Sequence, residues 1–111
     1  MRQTQLNDLQ KFQDAESLWF WFISSAAVRG HFRRTDDVIG RICELIDVET
    51  LVTRLYLSGR MTREQLDVLV EFGAMRRAPH QHIYSENRKA ALWRDAMDTL
   101  QTAAVAKGWI A

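Results

Sequence analysis

The chain has 111 residues, a length that fits one compact domain and excludes most multidomain enzymes. Hydrophobic residues make up 47% and charged residues 26%, with five glycines and one proline, which excludes a disordered or linker-rich chain. So few turn residues also argue against an all-β fold, and the net charge of +1 neither requires nor excludes a polyanionic partner. We therefore expect an all-α protein, a compact bundle of about five helices.

The cysteine content and the apolar runs indicate the cellular compartment of the protein. The single cysteine, Cys43, has no second cysteine to pair with, and the first ten residues lack the basic and apolar layout of a signal peptide. The strongest apolar run, residues 18–23, is far shorter than the roughly 20 residues that span a membrane. These features predict a cytoplasmic protein that does not enter a membrane.

The N-terminal region divides at residue 14. Residues 1–13 are mostly polar, with apolar residues only at helical spacing, so we expect an arm or a frayed helix there. A single helical domain is predicted over residues 14–111.

The first strong helix is rich in aromatic residues. Asp14 is a suitable N-cap, and Gly30 stands where a C-terminal cap is expected. Because the helix is apolar on nearly all sides, one core leaves Phe20 and Trp21 exposed. We expect these two at the interface of a homodimer; the alternative is that another helix, such as one formed by the N-terminal arm, covers them.

Two further helices are predicted before Gly59. Thr35 can cap the first, over residues 36–46, and Asp47 can cap the second, which Gly59 ends. One bent helix over residues 36–57 is the alternative interpretation of the same pattern.

The next helix has the clearest start signal in the chain. Thr62 and Gln65 form a capping-box pattern, and Gly73 marks the expected end. Its predicted buried residues share helical spacing: Leu66, Leu69 and Val70.

A loop and a long last helix complete the chain. Residues 74–84 contain the only proline and predict a loop or at most one helical turn. Ser85 is expected to cap the last helix, which Gly108 ends. The apolar stripe of this helix, expected to pack on the preceding one, includes Trp93, Met97 and Leu100.

Positive charge is concentrated in the loop and the start of the last helix. Five cations against one carboxylate give residues 76–94 a net charge of +4, with two histidines besides. A helical wheel places Asn87, Arg88 and Arg94 opposite the apolar stripe, and Arg and Asn are the side chains that pair well with guanine and adenine edges. Two aspartates further along argue against flat docking, so we expect contact by the helix tip. The predicted nucleic-acid-binding residues are Arg76, Arg77, His80, Asn87, Arg88, Lys89 and Arg94.

The last half of the chain, residues 61–101, resembles a known DNA-binding motif. MTREQLDVLVEFG, followed by SENRKAALWRDAMDTL, looks like the helix-turn-helix of bacterial sigma-factor C-terminal regions and related small regulators. The resemblance implies that the final Ser-capped helix contacts DNA. In that family a short turn helix joins the two, whereas here AMRRAPHQHIY carries a proline.

Metal binding and catalysis are weakly indicated. His80 and His82 are close in sequence, with Glu86 and His31 as conceivable further ligands, but a zinc site needs three or four convergent ligands. Cys43 lies in an apolar stripe without a neighbouring base. We therefore expect no metal site, no cofactor and no enzymatic activity.

Two functional hypotheses follow. The first is a small DNA-binding transcriptional regulator that contacts duplex DNA through the basic loop and the final helix. The second is a protein adaptor or assembly factor that binds a protein partner through the aromatic helix. Salt-dependent retention on a polyanion column separates the two.

Overall fold

The computed structural model describes residues 11–28 and 43–111. Within these ranges the chain forms four α-helices and one 3-10 turn, and no strand beyond a single isolated bridge. The elements are α1 (Ala15–Val28), α2 (Leu45–Leu57), α3 (Arg63–Met75), the 3-10 turn (Tyr84–Glu86) and α4 (Asn87–Ala106).

The all-α class is confirmed, but the described residues hold four α-helices rather than about five. Residues 29–42 lie outside the described residues, and they include most of the predicted helix over residues 36–46. Gly30 and Thr35 lie outside the described residues as well. α1 packs against both α3 and α4, which also pack on each other, and α2 packs mainly against α1.

Two of the predicted helix starts are confirmed by their capping bonds. The Asp14 carboxylate accepts a hydrogen bond from the Ser17 N–H at 2.8 Å. The Thr62 hydroxyl accepts from the Gln65 N–H at 3.1 Å, and the Gln65 side chain accepts from the Thr62 N–H at 3.0 Å. Each bond satisfies a backbone donor that the first helical turn leaves open.

The predicted start of α2 is wrong by three residues. Asp47 is the third residue of the helix rather than its cap, and its carboxylate accepts from the N–H of the N-cap residue Glu44 at 2.8 Å. Glu44 has an extended backbone, φ −103° and ψ 167°, so the helix cannot continue through it. The alternative of one bent helix over residues 36–57 is therefore wrong.

The predicted start of the last helix needs a similar correction. Ser85 lies inside the 3-10 turn, and α4 begins after Glu86. Gly59 and Gly108 stand just beyond the ends of α2 and α4 as predicted, with φ of 84° and 81°, in the left-handed region that glycine adopts without strain.

Gly73 does not end α3, as the sequence predicts, but lies within it. The helix continues to Met75, and Arg76 takes the left-handed position after it with φ 61°. A Cβ at Gly73 would lie 2.7 Å from Trp19 Nε1 and 2.9 Å from Ile23 Cγ1. The glycine is therefore required by the close approach of α1 and α3.

The core contains buried residues of all four α-helices, with α1, α3 and α4 packed on one another. Leu69, Trp93 and Leu100 are buried as expected, whereas Val70 is 52% exposed. The buried side of α3 is therefore rotated about the helix axis from the predicted side. The buried residues of α3 are Val68, Leu69, Phe72 and Gly73.

The aromatic side chains of α1 are packed within the described fold. Phe20 stacks on Trp93 with ring centroids 5.7 Å apart, and Trp21 lies 5.2 Å from Phe12. Both side chains are half-buried rather than exposed, so the expected exposure is not observed, and the predicted arm contributes Phe12 as a cover for Trp21. Homodimerisation stays a prediction.

The two ends of the described chain are tied together. Phe12 donates its N–H to the Trp109 carbonyl and accepts from the Ala111 N–H, each at 2.9 Å, in a parallel bridge to Ile110. The Ala15 N–H donates to the Gln101 side chain at 2.8 Å. Residues 11–13 are therefore continuous with the helical core.

Candidate nucleic-acid interface

The predicted nucleic-acid-binding residues lie on the loop after α3 and on the first two turns of α4. We call this set the basic face: Arg76, Arg77, His80, Asn87, Arg88, Lys89 and Arg94. Some of these side chains pair with carboxylates within the protein, and others are exposed to solvent without such a pair.

Glu86 joins the loop to the start of α4. Its carboxylate accepts two hydrogen bonds from the Arg77 guanidinium, at 3.0 and 2.7 Å, and one from the His80 backbone N–H at 2.8 Å. These bonds favour the ionised carboxylate and lower the pKa of Glu86 to about 2, with the Arg77 hydrogen bond as the largest cause. We call this arrangement the Glu86 clamp.

The Arg77 side chain is therefore engaged mainly in contacts within the protein. Besides Glu86, its guanidinium donates to the Ala78 carbonyl at 3.1 Å and lies 5.3 Å from the centre of the Phe72 ring. A guanidinium held by a bidentate carboxylate and an aromatic ring has few donors left for a phosphate.

Lys89 is also engaged within the protein. Its ammonium donates to both oxygens of Glu71 on α3 at 3.1 Å and lies 5.9 Å from the centre of the Phe72 ring. The pair links the first turn of α4 to α3 and neutralises the lysine at short range.

Arg88 makes a looser contact. It pairs with Glu64 of α3 at 3.2 Å, and the two side chains are 71% and 61% exposed. Pairs this exposed contribute about 0–1 kcal/mol, so a phosphate could replace the carboxylate at little cost.

Arg76 and Arg94 are the open cations of the face. Both are exposed, and neither lies within ion-pair distance of a carboxylate among the described residues. Asn87 and His80 are exposed as well, and Asn87 lies on the same side of α4 as Arg94. The structure thus agrees with the exposed helix side that the helical wheel predicts.

The most exposed large hydrophobic side chain of this region has no signal in the sequence. Tyr84, in the 3-10 turn, is 92% exposed, and the adjacent Ile83 is 43% exposed. Tyr84 lies between Pro79 and Ser85 in a segment without a periodic apolar pattern, so the sequence does not indicate whether its side chain is buried or exposed. The sequence does not indicate the partners of Lys89 and Arg88 either, because they lie on a different helix.

Groups of metal ligands and membrane-spanning helices were sought in the part of the chain that the structure describes. Residues 11–28 and 43–111 hold no group of three or more His, Cys, Asp or Glu side chains that could bind a metal ion. Cys43 is buried. Of the helices described, none combines the length and the apolar character needed to cross a bilayer.

Comparison of the chain with protein-family models, with curated proteins and with solved structures finds no match.

Proposed function

We propose that the protein binds nucleic acid through the open part of the basic face, with Arg76 and Arg94 as phosphate contacts and with Asn87 and Arg88 at the start of α4 as the candidates for base contacts. The observation that carries the proposal is the Glu86 clamp, which fixes the loop against the start of α4. Because the clamp fixes the backbone of the loop, that backbone loses little conformational freedom when the face binds a ligand.

The charge balance of the face supports a modest electrostatic affinity. Its five cations face three carboxylates that pair with them, Glu64, Glu71 and Glu86, which leaves two net positive charges. Each phosphate neutralised releases counterions, so binding should weaken with added salt.

The specific form of the proposal is a cytoplasmic DNA-binding regulator. Asn87 and Arg88 stand at the tip of α4, where a recognition helix makes its base contacts. The likeness of residues 61–101 to the helix-turn-helix of sigma-factor C-terminal regions supports the same role. Asp95 and Asp98 further along α4 are exposed, so docking by the tip avoids their repulsion from phosphates.

The test is the salt dependence of binding to a labelled duplex, measured by fluorescence anisotropy between about 50 and 200 mM salt. The double variant Arg76→Ala/Arg94→Ala should reduce the slope of log affinity against log salt by about two units. The matched control is Arg54→Ala/Arg60→Ala, which removes the same charge from exposed positions on and after α2 and should change the slope less.

Two results would contradict the proposal. One is the absence of any shift with duplex or single strand at low salt. The other is an equal change of slope in the two double variants, which would indicate a general effect of net charge rather than a site. Circular dichroism of each variant confirms that it is folded before binding is measured.

A further inference from the structure

Tyr84 is presented to solvent by a turn that is held at both ends. The Ile83 N–H donates to the His80 carbonyl at 3.2 Å, and the Glu86 N–H donates to the Ile83 carbonyl at 2.8 Å. The Glu86 clamp then fixes this turn to Arg77 and to the loop backbone. The tyrosine is therefore 92% exposed on an ordered turn.

Tyrosine is enriched at interaction surfaces, since its ring is apolar and its hydroxyl is polar. Tyrosine and tryptophan provide a large contact area at a small cost in side-chain entropy. In this chain the other tyrosine, Tyr56, is 38% exposed on α2, so exposure on this scale is not a general property of its tyrosines.

The charges around Tyr84 favour an anionic ligand. Arg88 follows it by about one helical turn, and Arg76 begins the loop that leads to it. The nearest carboxylate in sequence is Glu86, and its charge is already neutralised by Arg77. A ligand that carries both negative charge and a flat aromatic ring thus fits this region better than a purely apolar ligand.

We propose that Tyr84 stacks on an unpaired base, so that the preferred ligand of the basic face is single-stranded nucleic acid. This inference rests on the proposed binding of nucleic acid and makes a single strand, rather than the duplex of the regulator form, its preferred ligand. In a duplex the faces of the bases are covered by their neighbours, whereas a single strand offers them to an aromatic ring. The open cations of the basic face, Arg76 and Arg94, contact the phosphates of the same strand.

The experiment compares three labelled probes by anisotropy at low salt: a single strand of about 15 nucleotides, a strand with the same phosphates but no bases, and a duplex of the same length. Wild-type protein should bind the normal strand most tightly. Tyr84→Ala should weaken binding to that strand by about 5- to 150-fold and leave binding to the abasic strand unchanged.

Two matched variants separate stacking from other effects. Tyr84→Phe keeps the ring and should bind the normal strand as wild type does. Tyr56→Ala removes the other tyrosine of the chain and should change none of the three affinities. Because Tyr84 is almost fully exposed, its replacement should leave the fold intact, which circular dichroism checks.

Each outcome decides between the two proposals. Equal affinity of wild type and Tyr84→Ala for the normal strand overturns the stacking inference but leaves nucleic-acid binding standing. A failure of wild type to bind any probe overturns both. Self-association of wild type that Tyr84→Ala abolishes in sedimentation, with unchanged probe binding, makes Tyr84 a protein contact and also overturns the inference.

Discussion

Replacement of Gly73 by Ala should destabilise the protein, although alanine normally favours a helix. Gly73 lies inside α3 where α1 crosses it, and a Cβ there would come within 2.7 Å of Trp19 Nε1 and 2.9 Å of Ile23 Cγ1. The Trp19 ring cannot move freely, since it is 2% exposed and donates a hydrogen bond of 2.7 Å to the Leu69 carbonyl.

Three contributions set the size of the effect. The helix propensity of alanine over glycine stabilises by about 1 kcal/mol. Overpacking of the contact with Trp19 costs about 1–3 kcal/mol. Displacement of the ring also breaks its bond to Leu69 and leaves a buried N–H unsatisfied, at about 1–3 kcal/mol. The net expectation is a loss of about 1–5 kcal/mol in the free energy of unfolding.

Urea denaturation followed by tryptophan fluorescence measures this loss. With a slope near 2 kcal/mol per molar, a loss of about 2 kcal/mol lowers the midpoint by about 1 M. Val70→Ala on the exposed side of the same helix is the control and should leave the midpoint nearly unchanged. A Gly73→Ala variant as stable as wild type, or more stable, would refute the close approach of α1 and α3.

Two further changes test the core and the Glu86 clamp. Leu69→Ala should lower the free energy of unfolding by about 2–5 kcal/mol in the same assay, because Leu69 is fully buried; a loss below about 0.5 kcal/mol would contradict its place in the core. The pKa of Glu86 is lowered in the folded protein from 4.5 to about 2, so the clamp stabilises above pH 4.5 and its contribution is lost as the pH falls towards 2. The difference in urea midpoint between wild type and Glu86→Gln should therefore shrink over that range, and a difference that stays constant with pH would show that ionisation of Glu86 does not matter.

Features that depend on neighbours in sequence were predictable. The capping box of Thr62 and Gln65, the cap at Asp14 and the glycine after α4 are all local, since each bond joins residues within one turn. The exposed side of α4 with Asn87 and Arg94 followed from helical periodicity alone.

Features that depend on distant contacts were not predictable. Gly73 has the sequence signal of a helix end, and only the position of Trp19, 54 positions earlier in the chain, shows why it lies within α3. Lys89 likewise has the charge of a phosphate-binding residue, and its partner Glu71 becomes a neighbour only when α3 and α4 pack. The charged residues can be identified in the sequence, but which of them form ion pairs depends on how the helices pack.

The tie between the two ends of the described chain has a consequence during synthesis. The first N–H of α1, at Ala15, is satisfied by Gln101, which follows it by 86 residues, and Glu16 accepts from Trp93, 77 residues later. At a synthesis rate of about 5–20 residues per second, α1 waits roughly 4–17 s before Gln101 is made. During that interval Leu18 and Trp19 have no α4 to pack against. The apolar side chains of α1 therefore stay without their packing partners on the nascent chain until α4 has been made.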